Sequence, residues 1–156
     1  MKTILIHSLI ALSLSAFSSA DDDISLNQCP PAVQDMIQKN LRSGKLDDIE
    51  RKHYGNRSIY VAEIDLPGRD DDNDLELHIA EDGGMLKLIE DINVKDTPSA
   101  VTDALRSFGG KVDDIDRVEV DGQVTYHAEI DRENDHDLDV VVAADGKIIR
   151  ETRDDD

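Results

Sequence analysis

Two kinds of apolar spacing follow each other along the chain, twice. Val33, Met36, Ile37 and Leu41 fall at helical spacing, and so do Val101, Ala104, Leu105 and Phe108. Pro30 and Pro98 suit a first helical turn, where a missing N–H costs nothing, and Thr97 reads as the N-cap of the second helix. After Gly44, and again after Gly109-Gly110, the period changes to two. Tyr60, Ala62 and Ile64 point one way and Val61 and Glu63 the other; Leu75, Leu77 and Ile79 alternate with Glu76 and His78. Asp82-Gly83 and Asp145-Gly146 are turn dipeptides leading into a last strand, Met85 to Ile89 and Lys147 to Arg150. The pattern predicts a helix followed by four antiparallel strands, then the same again.

The wording repeats as well as the pattern. Gly44-Lys45-Leu46-Asp47-Asp48-Ile49-Glu50-Arg51 recurs as Gly110-Lys111-Val112-Asp113-Asp114-Ile115-Asp116-Arg117, and Tyr60-Val61-Ala62-Glu63-Ile64-Asp65 as Tyr126-His127-Ala128-Glu129-Ile130-Asp131. One short helix cannot enclose a core, but laid on a four-stranded sheet it covers one face and leaves the other to solvent. The expected fold class is therefore α+β: two tandem repeats, 30–91 and 96–152, each one helix packed on a four-stranded antiparallel sheet.

Ahead of the repeats, Lys2, a mostly apolar stretch from Ile4 to Phe17 and the small residues Ser18-Ser19-Ala20 form the tripartite secretory pattern. The apolar stretch is about fourteen residues, short of the roughly twenty a spanning helix needs. Residues 1–20 are thus expected to be a cleavable signal peptide, 21–29 a linker, and the protein periplasmic or secreted.

Composition narrows the partner. Of 156 residues, 36 are Asp or Glu against 17 Lys or Arg, a formal charge of -19. That field repels a phosphate backbone or an anionic membrane, so neither nucleic acid nor a membrane surface is an expected partner. Aromatics at 3% with no Trp supply no stacking platform, and a single Cys excludes a disulfide framework or a Cys-rich zinc site.

The Pro-x-x-Val helix, the Tyr-x-Ala-Glu-Ile strand and the Asp-Gly-Lys-Ile-Ile hairpin resemble the PepSY-like family, more narrowly its tandem form grouped with the β-lactamase inhibitor protein. The resemblance spans Pro30 to Glu151 and implies an exported protein without enzymatic activity. It also implies binding, or inhibition, of an extracytoplasmic protein such as a peptidase.

Candidate sites follow from the residues. Val61, Glu63, His78, His127, Glu129 and Val141 alternate away from the helices and are the expected partner-binding face. An acidic face steers toward a protein with a basic surface. As an alternative, the carboxylates of Asp70, Asp71, Asp72 and Asp74, with Asp135 and Asp137, offer hard oxygen ligands to Ca²⁺, the one cofactor to consider. The histidines lack metal-ligand spacing and read as solvated or hydrogen-bonded side chains. No Ser, Cys or Gly-rich arrangement marks a catalytic centre, and no enzymatic activity is expected. Cys29 aligns with Thr97 at the expected helix N-cap. It reads either as a small buried hydrophobe or as a reactive thiol of lowered pKa able to link two chains in a dimer.

Overall fold

The computed structural model describes residues 22–67, 74–133 and 136–153. The elements, in chain order, are β1 (Asp22–Asp23), α1 (Pro31–Asn40), β2 (Lys45–Tyr54), β3 (Arg57–Asp65), β4 (Asp74–Ala80) and β5 (Met85–Asp91). There follow α2 (Ser99–Arg106), β6 (Lys111–Val120), β7 (Gln123–Asp131), β8 (Leu138–Ala143) and β9 (Ile148–Arg153). All nine strands form one antiparallel sheet in sequence order.

This corrects the expectation of two tandem units, each a helix on its own four-stranded sheet. Across the described residues the protein is mainly β, a single continuous sheet carrying two α-helices. The physical reason lies at β5 and β6. Either strand alone would present a row of unpaired backbone N–H and C=O groups, and edges of that kind are unfavourable unless covered. The crossover through α2 returns the chain beside β5, and the two edges satisfy each other over five residue pairs, Lys87↔Val120 to Asp91↔Asp116. The ladder runs one step further, with the Ile92 amide donating to the Ile115 carbonyl at 3.0 Å.

Alternation decides which side chains meet the helices. Val33 and Ile37 of α1 pack with Tyr60, Ala62, Ile64, Leu75, Leu77 and Ile79 in one apolar cluster. Val101 and Leu105 of α2 pack with Tyr126, Ala128, Ile130, Leu138, Val140 and Val142 in a second. The two clusters share no residue. Between them, on the same face, the register brings Glu90 opposite Arg117 and Leu88 opposite Glu119. Arg42, just past α1, holds Glu90 at 2.5 Å, and Arg117 holds Glu119 at 2.6 Å. A charged stripe therefore separates two apolar cores, and the β5–β6 ladder alone carries the sheet across it.

Two local expectations also change. Both helices take a proline as N-cap, Pro30 and Pro98, which puts Cys29 and Thr97 one residue outside the cap. Thr97 instead closes a preceding 3₁₀ turn, its Oγ1 donating to the Asn93 carbonyl at 3.1 Å. The segment expected to be a linker is partly ordered onto the sheet: β1 pairs with β2, and Leu26 and Ile24 pack against the first core. The expected signal peptide, residues 1–20, lies outside the described residues.

The turn dipeptides have a structural consequence. Gly83 and Gly146 both have φ of +86, and a Cβ on either would press into a helix's first turn: 2.8 Å from the Ala32 carbonyl oxygen and 2.5 Å from that of Ala100. Each glycine lets a hairpin slide beneath a helix. Gly146→Ala combines a left-handed backbone with overlap against backbone that cannot yield, and should cost about 2–3 kcal/mol of stability. Gly122→Ala has φ of +74 but open space, and should cost about 1 kcal/mol. Urea unfolding of the two variants checks this; equal losses would show that contact with α2 is not what demands the glycine.

Candidate functional site: the open face of the sheet

Both helices lie on one side of the sheet, and no described element covers the other. The cross-strand register sets out what this open face presents. One row runs Glu50, Val61, His78, Lys87, Val120 and the next runs Asp48, Glu63, Glu76, Ile89, Val118. In the second half, Asp91, Asp116, His127, Val141 and Arg150 form a row, followed by Asp114, Glu129 and Asp139.

All six residues expected on a partner-binding face lie on this side. They divide into Val61, Glu63 and His78 on β3 and β4, and His127, Glu129 and Val141 on β7 and β8. Val61 and Val141 are only 3% and 8% exposed, packed under their neighbours, so they form the floor of the face rather than its contact surface. Sequence reasoning missed the centre. Ile89 and Val118 meet across β5–β6, beside Asp91, Asp114 and Asp116. Their position follows from the joining of the two halves, which no local pattern announces.

The centre is a shallow depression of about 430 Å³ lined by Ile89 and the carboxylates Asp74, Glu76, Asp91, Asp113, Asp114 and Asp116. A second depression of about 270 Å³ shares Asp114 and Asp116 and extends over His127, Glu129 and Arg150. So many carboxylates in one concavity perturb one another. Asp116 is pushed up to about 6, first by burial and then by the charges of Asp114, Asp91 and Glu76, which outweigh Lys87. Glu63 and Glu129 are also raised, by burial first and then by neighbouring carboxylates. Glu76 moves the other way because it is hydrogen-bonded to the His78 Nε2 at 2.5 Å. His127 is held below its ordinary value by burial and by the charges of Arg150 and Lys87.

Most of the expected Ca²⁺ ligands, Asp70, Asp71, Asp72 and Asp135, lie outside the described residues. Asp74 opens β4, and Asp137 accepts a hydrogen bond from the Arg132 amide at 3.0 Å. A different trio, Asp23, Asp48 and Glu50, brings carboxylate oxygens within 4.8 Å of one another near the β1 edge, through a pairing with β1 that spacing in the sequence could not show.

The reactive-thiol expectation for Cys29 is corrected. Lying outside the cap, its sulfur is directed into the first core beside Val33 and Ile37 and is 4% exposed. Sγ approaches the Ser25 carbonyl at 3.9 Å, and burial pushes the thiol up, outweighing the charge of Arg51. A disulfide-linked dimer would require this sulfur to leave the core.

No family model matches the chain. It is 29% identical over 126 residues to YkoJ, an uncharacterized protein of Bacillus subtilis, covering 76% of this chain and 71% of that one. Solved structures of the same fold include a DUF2874 family protein from Bacteroides uniformis, 21% identical, TM-score 0.61, covering 80% of this chain and 89% of the other. A BLIP-like protein from Bacteroides fragilis is 18% identical with a TM-score of 0.58, over 80% and 86% of the two chains. A putative periplasmic protein from Bacteroides eggerthii, 18% identical, has a TM-score of 0.62 over 80% and 88%. At these identities the likeness is one of fold, and the fold is BLIP-like.

The thiol gives a direct check on the core. Native protein should react with a thiol reagent at least about a hundredfold more slowly than protein in denaturant, because reaction needs local opening. It should also run as a monomer on non-reducing gels. Equal labelling rates would place Cys29 at the surface.

Proposed function

We propose that the protein is an exported binding module that presents the open face of its sheet to another protein carrying a basic surface. The observation that carries this reading is the pair of adjoining depressions at the centre of the open face, where the aliphatic side chains of Ile89 and Val141 lie among the carboxylates of Asp74, Glu76, Asp91, Asp114, Asp116 and Glu129. Burying a carboxylate and crowding it with like charges both raise the free energy of the folded chain, as the elevation of Asp116 records. Perturbed groups collected in a cleft are a mark of functional sites. A cationic partner would offset the repulsion and cover the aliphatic floor in one step.

The secretory pattern of residues 1–20 supports an extracytoplasmic setting, as does the fold shared with a protein described as putatively periplasmic. The PepSY-like resemblance and the BLIP-like fold support restraint of an extracytoplasmic enzyme as the form binding takes. The face is broad and shallow, which suits a protein surface better than a small substrate.

The test immobilises the chain without residues 1–20 and exposes it to a periplasmic extract at low and high salt. A protein should be retained at low salt and released at high salt. The pair Glu63→Lys with Glu129→Lys should weaken retention roughly tenfold or more. Gln38→Lys, on the exposed side of α1, should leave it unchanged. No retention at low salt, or equal retention by the face variant, would overturn the reading.

A further inference from the structure

The β5–β6 ladder is the joint between two separately cored halves, and its register places two carboxylates against each other. Asp91 lies directly opposite Asp116. Because the Ile92 amide bonds to the Ile115 carbonyl, that pair is a hydrogen-bonded one, and alternation makes Asp91/Asp116 a non-hydrogen-bonded pair. Such pairs bring side chains closer, with Cα atoms about 4.5 Å apart against about 5.5 Å, and like charges there oppose pairing. We propose that this joint is a proton-responsive seam: acidification tightens the pairing of the two halves, and rising pH loosens it.

The surroundings of Asp116 set the sign. From its own strand it faces Asp114, with Asp113 beyond; from β5, Asp91 and the cation Lys87; from β4, Glu76 and Asp74. On its other side β7 brings His127 directly opposite, with Glu129 one row on, and Asp139 and Arg150 complete that depression. Burial first, and then the acidic neighbours on the seam side, let Asp116 hold its proton up to about pH 6, where an ordinary Asp would hold it to 3.8. A raised folded value means a stabilisation fully present below 3.8 and lost as pH climbs through about 6. His127 works against this, since a histidine held below its ordinary value loses stability on protonation. It belongs to the β6–β7 pairing, however, and separating β5 from β6 leaves that pairing intact.

Native-state hydrogen exchange followed by NMR reads the seam directly. The Ile92 amide is the reporter and the β3 amides from Tyr60 to Ile64 are the reference, each corrected for intrinsic exchange. Opening frees Asp116 of Asp91 and of part of its burial but leaves Asp114 beside it, so Ile92 protection should rise severalfold, at most about tenfold, between pH 7.5 and pH 5, relative to β3. Asp116→Asn should be well protected at both pH values. Should that variant not fold, Asp91→Asn removes the other member of the pair and should reduce the response, while burial and Asp114 keep part of it. His127→Gln should keep it. Protection of Ile92 that does not change with pH, changes equally in β3, or keeps its full pH response in the Asn variants would overturn the proposal.

Discussion

Backbone pairing between β5 and β6 is the constraint on which the rest of this structure depends. Each half has what a small sheet needs: a helix, an apolar stripe and four strands to receive it. What neither half can do alone is satisfy the backbone groups of the strand that faces the other. Hydrogen bonding across the join removes two edges at once and turns two faces into one surface. The side chains along the join contribute less. On the helix side the stripe is ionic, Glu90 against Arg117 with Arg42 and Glu119 beside them, and surface ion pairs of this kind are worth about 0–1 kcal/mol. On the open side, Ile89 against Val118 is an apolar pair, and Asp91 against Asp116 a repulsive one.

This division gives the open face its character. Repeat-equivalent residues meet different fates according to their place in the sheet. Glu50, on β2 near the edge, is held by Lys52 at 2.7 Å, whereas its counterpart Asp116, in the interior, meets Asp91. The same short sequence unit thus yields an ordinary acidic surface at the margin and a strained carboxylate cluster at the centre. The concavity is a product of the joining, and neither half possesses it alone. That is why a binding role fits the whole sheet better than either unit.

Much of the local structure was legible in the sequence. Tyr60, Ala62 and Ile64 on β3, and Leu75, Leu77 and Ile79 on β4, are buried because alternation with polar neighbours is a local signal that tertiary context did not override. The paired Asp-Gly turns were legible for the same reason. The single sheet was not: β5 shows the same alternation whether it ends a sheet or continues one, since only backbone groups are consumed in the pairing. Nor was the N-terminal strand, because Asp22 and Asp23 contribute two pairings to the edge of β2 and no apolar pattern. Cys29 misled through alignment with Thr97, since both stand before a proline that takes the cap itself. The partner face was legible by residue but its centre was not, because Asp91 and Asp116 are brought together only by the joint.

The joint, the open face and the carboxylate cluster all require the two halves to form one sheet in this register, and cross-strand proton contacts measure that most directly. In non-hydrogen-bonded antiparallel pairs the α-protons of opposed residues lie close together. Nuclear Overhauser contacts are predicted between the α-protons of Lys87 and Val120, Ile89 and Val118, and Asp91 and Asp116, as strong as those within each half. Their absence, with the contacts inside each half intact, would leave two separate sheets and contradict the account.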